Sequence, residues 1–240
     1  MMSEVDVYAI LDEVLNHQRE RDSAPRKRVA GVFYPSEAMQ CQRKIFMNVM
    51  RPEESAKETF PLGLFAMAKA VEGEMTSLLK IKYPLLVHDQ VRVDVDTNGF
   101  TIHGYADVVL KNGDGKVVWV GEIKSTRGIE IKKKEGVASN HHRAQLHLYL
   151  NFLKCWDGAV VYVERGDLLK LVQFDEQLDL DFVDKILKHF ESAHVYIKDD
   201  EVPPPMPVEQ WECRYCAFQK SCTEDRKGKY KRTTKGWVKK

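Results

Sequence analysis

The sequence predicts a mixed α/β domain in which a central sheet is flanked by helices from both ends of the chain. Three observations carry this expectation. Apolar residues recur at helical spacing before residue 83 and after residue 137. Alternation takes over between residues 91 and 125. Asn112-Gly113-Asp114-Gly115 divides the alternating stretch where a hairpin would turn. The 240 residues, 43% apolar and 30% charged, suffice for one sizeable core with at most a small appendage. No apolar run nears the roughly 20 residues that cross a bilayer, so a membrane-spanning protein is excluded. MMSEVDVYAI contains no apolar signal region, and five cysteines in a cytoplasmic chain point to metal or cluster chemistry rather than disulfides.

Residues 3–20 put Val7, Leu11, Val14 and Leu15 at helical spacing and predict an amphipathic helix. Arg19 to Arg28 is charged, contains Pro25 and reads as a linker. Ser36, after Pro35, is a suitable N-cap for a helix running to about Met50, with Cys41 on it and Pro52 stopping it. A longer helix fits residues 60–82, before Pro84. The segments VRVDV, FTIHGYADVVL and KVVWVGEIKS then alternate as strands do. Helical spacing returns over 138–155 through Ala144, Leu146, Leu148, Leu150 and Leu153. Residues 158–164 and 168–174 read as a strand pair turning at Arg165-Gly166-Asp167, and a helix follows at about 179–196. Pro203, Pro204, Pro205 and Pro207 make a stiff extended linker. The chain thus divides into an N-terminal helical segment carrying Cys41 (1–58), a core (59–200), and a cysteine-bearing element with a basic tail (201–240).

The net charge of +1 is unevenly distributed. Residues 226–240 hold eight basic side chains and no acid, which leaves 29 basic against 36 acidic residues elsewhere, a balance of −7. Such a tail, with Tyr230 and Trp237 in it, suits a phosphate backbone and stacked bases, or is a solvated terminus. The run Lys132-Lys133-Lys134 is equally suited to steering DNA or to a solvated loop. His141 and His142 open a helix, where polar surface is the ordinary role and a phosphate or metal contact the rarer one.

The sharpest chemistry lies in GYADVVLKNGDGKVVWVGEIKS. A loop of even length centred between Gly113 and Asp114 sets Val120 opposite Asp107 and Glu122 opposite Tyr105. Asp107 and Glu122 are then diagonal neighbours on one face, with Cβ atoms roughly 7 Å apart, and Lys124 shares that face. A loop of odd length would put the two carboxylates on opposite faces. Carboxylates at that distance suit a hard cation such as Mg²⁺. The cation lowers the pKa of a bound water and stabilises charge on a phosphoryl oxygen. Lys124 stands where it can orient or help deprotonate that water, or neutralise developing charge. That is the equipment for hydrolysing a phosphodiester.

Asp107, followed on the next strand by Glu122-Ile123-Lys124, resembles the PD-(D/E)XK nuclease core. The following helix carries Gln145-Leu146-His147-Leu148-Tyr149, similar to the Q-x-x-x-Y motif of the RecB-like branch, with Gln145 and Tyr149 one turn apart on one helix face. The resemblance implies a restriction-endonuclease-like mixed sheet flanked by helices. It implies Asp107, Glu122, Lys124, Gln145 and Tyr149 as catalytic positions, with Asp107, Glu122 and Ile123 at the metal. The family's upstream helix carries a small residue, three positions and then a metal-binding His. The best match here runs from Ala68 to Glu72, which makes Glu72 an oxygen ligand for Mg²⁺ or Mn²⁺, with Glu74 its nearest competitor.

Cys213, Cys216 and Cys222 form C-x₂-C-x₅-C. Three soft thiolates so close call for a fourth, and Cys41 and Cys155 are the cysteines elsewhere. Four thiolates hold Zn²⁺ or a [4Fe–4S] cluster; a zinc ribbon usually shows two C-x₂-C knuckles, and a single knuckle favours the cluster. A lone Cys in YPSEAMQCQRKIF ahead of the nuclease core, with C-x₂-C-x₅-C after it, is similar to the CRISPR-associated exonucleases of the Cas-four family and to other RecB-like iron–sulfur nucleases. The likeness runs from about Tyr34 to Cys222. It implies a [4Fe–4S] cluster on Cys41, Cys213, Cys216 and Cys222, holding a C-terminal iron–sulfur element against an N-terminal helix. Cys155 is left as a buried structural thiol. The likeness also implies single-stranded DNA ends as substrate, exonucleolytic processing, and integrase partners in CRISPR spacer acquisition.

The chain has no G-x-x-x-x-G-K-[ST] phosphate loop, so it is not a helicase–nuclease fusion on its own. The expectation is a cytoplasmic, metal-dependent deoxyribonuclease. The alternatives are a phage or repair exonuclease of the same build unconnected to CRISPR, and a zinc- or cluster-bearing scaffold that binds DNA or an integrase without cutting. The intact Asp107, Glu122, Lys124 and Gln145 argue against the scaffold.

Overall fold

Alternating apolar residues through the middle of the chain build the sheet. Strands β2 (Val87–Thr97), β3 (Phe100–Lys111) and β4 (Val117–Thr126) pair antiparallel in succession. Strand β5 (Asp157–Glu164) joins β4 in parallel, β6 (Asp167–Gln177) returns antiparallel to β5, and the short β1 (Val32–Phe33) lies parallel to β3. The result is a six-stranded mixed sheet. The structure is a computed structural model and describes residues 13, 14, 17, 28–55, 62–206, 210–214, 216–227, 230–233 and 236–239.

Because β4 and β5 are parallel, the chain must cross over between them. It does so through α3 (Ile129–Glu135) and α4 (Asn140–Phe152). Lys132-Lys133-Lys134 therefore forms the last turn of a helix rather than a loop. Positive charge there complements the helix dipole, and Lys132 pairs with Glu135 at 2.6 Å and Lys133 with Glu130 at 2.8 Å. Helix α2 (Leu62–Lys82) covers one face of the sheet through Val71, Met75 and Leu79, packed on Val108, Ile123, Val161 and Val163. Helix α4 covers the other through Leu146 and Leu150, packed on Val109, Val120 and Val160. Each such side chain contributes roughly 1.5–3 kcal/mol on full burial.

The N-terminal region departs from expectation. The helix predicted from Ser36 begins only at Gln42 (α1, Gln42–Met50), and Ser36 lies inside a 3₁₀ turn, Pro35–Glu37. Met39 takes a left-handed φ of 59°, which breaks any continuous helix. Glu37 fixes the turn, because its buried carboxylate accepts the Tyr34 N–H at 3.1 Å and the Arg28 guanidinium at 2.5 Å. Cys41 is consequently the residue capping α1, not one within the helix. Of the helix expected over 3–20, Glu13, Val14 and His17 are described and helical. The rest of it, and most of the following linker, lie outside the described residues.

Helices α1 and α5 (Leu180–Lys198) build a third cluster with Phe33, Phe100 and Ile102. Phe218 and Cys216 pack into this same cluster, so the C-terminal segment meets α1. Arg43 on α1 pairs with Asp225 at 2.6 Å, on α7 (Gln219–Arg226), which follows the short α6 (Gln210–Arg214). Ser221 donates to the Glu54 carbonyl at 3.4 Å. The basic tail folds back as a hairpin of β7 (Tyr230–Thr233) and β8 (Gly236–Lys239). Among the described residues no helix is long and apolar enough to cross a membrane.

Candidate active site

The β3–β4 turn is not the even-length loop that the sequence suggested. The Asn112 N–H donates to the Lys116 carbonyl at 2.9 Å, closing a three-residue loop whose Gly115 takes a φ of 77° open to glycine. Alone, that odd loop would throw Asp107 and Glu122 onto opposite faces. A β-bulge restores the parity. Lys111 pairs with Val117 but Leu110 with Trp119, so Val118 is an extra residue on β4. Val109 then pairs with Val120 and Val108 with Gly121. Carried one residue further, this register sets Asp107 directly opposite Glu122, closer than the expected diagonal.

Strand β3 divides one of its edges between two partners, β1 at Thr101 and Ile102 and β4 from Val108 onward. Between them the sheet forks. Tyr149 on α4 fills the fork, and its hydroxyl oxygen accepts hydrogen bonds from the Tyr105 backbone N–H and the Gln145 amide. Gly104 makes room for it. A Cβ at that position would lie 2.7 Å from Pro35 Cδ and 3.0 Å from the Tyr149 hydroxyl. Gly104→Ala should therefore cost about 1–3 kcal/mol through overpacking, read as a lower urea midpoint with an unchanged slope. An unchanged midpoint would mean that Tyr149 does not depend on this gap. On the other edge, Gln90 adopts a left-handed φ of 48° opposite Asp107. Alternation breaks at that point: Val91, Val93 and Ala106 pack with the α4 side, Val87 and Val108 with the α2 side. The sheet is thus creased at Asp107.

The crease concentrates charge where water is scarce. Asp107 is 7% exposed and Glu122 fully buried. The Ile123 N–H donates to Asp107 Oδ2 at 2.9 Å. The Lys124 ammonium forms an ion pair with Glu122 Oε1, yet neither Glu122 oxygen has a well-directed hydrogen bond. Burial first, and then the Asp107 charge, pushes the Glu122 carboxyl up to about 8. The same two causes push Glu72, on α2, up to about 7, although Lys124 and the Gln90 amide oppose them. Burial also raises Asp107, against Lys124 and the Ile123 N–H. Burial would lower Lys124, but Glu122 and Asp107 outweigh it and hold the ammonium well above its usual range. Tyr149 is likewise raised by burial and by Glu122, so its hydroxyl stays protonated.

The structure accordingly brings together Asp107, Glu122, Lys124, Gln145, Tyr149 and Glu72, with Ile123 seen as the donor to Asp107. Glu74 is solvent-exposed. His142 is held to the Tyr162 hydroxyl at 2.7 Å, and burial and its cationic neighbours push it down to about 2. Gln90 is a site residue that sequence reasoning missed; nothing in the sequence signals its left-handed turn. Arg43 is a second. It is 4% exposed and keeps Nε and Nη1 without hydrogen-bond partners, although it stands in the Cys41-Gln42-Arg43-Lys44 segment already singled out.

Among the described residues no three His, Cys, Asp or Glu side chains are gathered closely enough to hold a metal ion as they stand. The donors nevertheless fit. Three carboxyls raised by burial, two of them further raised by the Asp107 charge and one with unsatisfied buried oxygens, are a setting that a hard cation relieves. Elsewhere, Arg43, two residues after Cys41, pairs with Asp225, three residues after Cys222, and keeps Nε and Nη1 as unused buried donors of the kind that bond to cluster sulfur.

Opposed buried carboxylates at a fork in a mixed sheet, a lysine two residues on and a Gln–Tyr pair on the crossover helix are the attributes of a hydrolytic nuclease. The chain belongs to the PD-(D/E)XK nuclease superfamily, which it matches over residues 4–223. It is 25% identical over 230 residues to the CRISPR-associated exonuclease Cas4 of Saccharolobus solfataricus, covering 92% of this chain and 98% of that protein. Its fold is similar to the crystal structure of SSO0001, with a TM-score of 0.62, 21% identity and coverage of 87% of this chain and 94% of the other. It is also similar to LHK-Exo, an alkaline exonuclease from Laribacter hongkongensis, in complex with dAMP, with a TM-score of 0.50, 11% identity and coverage of 74% and 91%.

Proposed function

We propose that the chain is a divalent-metal-dependent deoxyribonuclease that shortens DNA from single-stranded ends. The observation that carries this reading is Glu122, a fully buried carboxyl facing Asp107 with oxygens left for a cation. Asp107, Glu122, Glu72 and Ile123 would hold Mg²⁺ or Mn²⁺. When bound, the metal supplies an acidified water and a counter-charge for the phosphoryl oxygens. Glu122 and Asp107 hold Lys124 charged in the metal-free chain. Its place beside them suits it to orient the attacking water and to neutralise charge at the phosphorus. Tyr149, protonated and anchored by Gln145 and the Tyr105 backbone, holds the fork open in the geometry that the carboxyls need.

The match to an exonuclease over nearly its whole length supports the exonucleolytic reading, and that protein's association with CRISPR supports a place in spacer acquisition with integrase partners. Cys41, Cys213, Cys216 and Cys222 would hold a [4Fe–4S] cluster whose role is to tie the 1–58 and 201–240 segments across the nuclease core in the cytoplasm.

The test uses end-labelled linear and circular single-stranded DNA with Mg²⁺, Mn²⁺ or a chelator. Linear DNA should shorten progressively with either metal, and circular DNA should persist. Cutting of circles at the same rate would overturn the exonucleolytic reading, and cutting in chelator the metal. Lys124→Ala should lose roughly 10²–10³-fold in rate while calorimetry still reports metal binding; a rate within a few-fold of the parent would remove Lys124 from the chemistry.

A further inference from the structure

Gly104 faces the Tyr149 hydroxyl on the α4 side of the sheet. Strand alternation therefore turns its neighbours His103 and Tyr105 to the opposite face. That face is open here. Tyr105 is 43% exposed, and Arg92, directly across from it on β2, is 65% exposed. The rings form a continuous row: Tyr34 meets His103 edge-on at 6.0 Å, and His103 meets Tyr105 edge-on at 5.4 Å. Arg28 lies over the Tyr34 ring at 4.7 Å. The row ends at the catalytic carboxyls. Tyr105 precedes Asp107 by two residues, and on the antiparallel partner strand Arg92 follows Gln90, whose amide holds Glu72, by two residues. Two residues of strand span about 7 Å, comparable to one nucleotide of an extended strand.

We propose that this open face of β2 and β3 is a stacking track for the unpaired bases of the substrate strand, with Tyr105 its main platform and Tyr34 the next. The inference rests on the nuclease reading above and names the part of the chain that recognises its substrate. Aromatic rings bind any base through its π-face, so the track accepts single strands of any sequence. It rejects duplex, whose bases are already stacked on one another. The charge on this face supports stacking over phosphate attraction: Asp94 pairs with Arg92 at 2.5 Å and also holds His103, and Glu37 holds Arg28, so little free positive charge is left. Binding at the track should accordingly add little to the salt dependence that phosphate contacts create.

The experiment measures labelled oligo-dT and a matched duplex by fluorescence anisotropy with the full chain, Ca²⁺ replacing Mg²⁺, and separately follows cleavage with Mg²⁺. Tyr105→Ala should weaken oligo-dT binding by roughly 5- to 100-fold, the worth of one base stack, and leave duplex binding and the salt slope unchanged. Tyr105→Phe, which keeps the ring, should bind as the parent does. In cleavage the loss should appear in KM, with kcat at saturation near the parent value, because Tyr105 does not touch the reacting atoms. If the parent cuts single strands and Tyr105→Ala binds and cuts them equally well, the track is wrong and the nuclease reading stands. Weak binding by Tyr105→Phe would also overturn stacking, since only the hydroxyl would then matter. A parent that cuts no single-stranded DNA with Mg²⁺ or Mn²⁺ overturns both.

Discussion

Glu122→Ala or Asp107→Ala should lower DNA cleavage by about 10³-fold or more, the scale of the several kcal/mol that a bound metal supplies, and leave the protein folded. Loss of function without loss of fold follows from the electrostatics. Both carboxyls are buried and raised, so each is a burden on the metal-free protein in its charged form. The sign can be checked by pH. The Glu122 carboxyl sits at about 8 in the folded chain against 4.5 ordinarily. Between those values the folded state keeps a proton that the unfolded chain has lost, so stability falls as pH rises. Glu72, at about 7, acts in the same direction. In chelator the melting temperature should therefore decline from pH 5 to pH 8. Glu122→Gln should flatten the decline and melt above the parent at pH 8, by about 2–4 °C for each kcal/mol relieved. Mg²⁺ should restore the parent and not the variant, with an affinity that grows with pH as the ligands give up protons. If Glu122→Gln melts lower than the parent in chelator at pH 8, the carboxyl is contributing to the fold rather than waiting for a cation.

The strands were legible because alternation in β2, β3 and β4 is strong, and the site was legible because Asp107, Glu122 and Lys124 sit on them at fixed spacing. What the sequence could not convey was how two irregularities combine. A three-residue loop and a bulge at Val118 each shift the register by one, and only their sum keeps the carboxyls on one face. Neither leaves a compositional mark, since Asn112-Gly113-Asp114-Gly115 suits loops of either parity. The late start of α1 was hidden for a similar reason. Ser36 has the chemistry of an N-cap, but the buried Glu37 and its ties to Arg28 and Tyr34 are tertiary contacts that outweigh that preference. The Tyr34–His103–Tyr105 row was invisible because β1 brings Tyr34 beside His103 across about 70 positions of chain.

Replacing Cys41, Cys213, Cys216 or Cys222 by Ser should each bleach the protein, lower its iron from about four per chain and destabilise it. The cluster's binding energy is folding energy, and here it would join segments some 170 positions apart that also meet through the Arg43–Asp225 pair, the Ser221–Glu54 hydrogen bond and the edge of one apolar cluster. Chain closure over such a length is a costly constraint to lose. Cys155→Ser is the control with the opposite expectation. Cys155 is buried behind α4, its thiol donates to the Asp157 carbonyl at 3.3 Å, and burial pushes its pKa up, so it holds its proton and is a poor ligand. Its replacement should leave colour and iron unchanged and cost only packing. Anaerobically prepared protein that is colourless and carries stoichiometric zinc would replace the cluster by a zinc site on the same sulfurs. Loss of colour in Cys155→Ser, with colour kept in Cys41→Ser, would place the fourth ligand at the end of α4. The C-terminal element would then be fastened to the nuclease core, and α1 would be held by packing, by the Gln42 amide on the His189 carbonyl and by the Arg43–Asp225 pair.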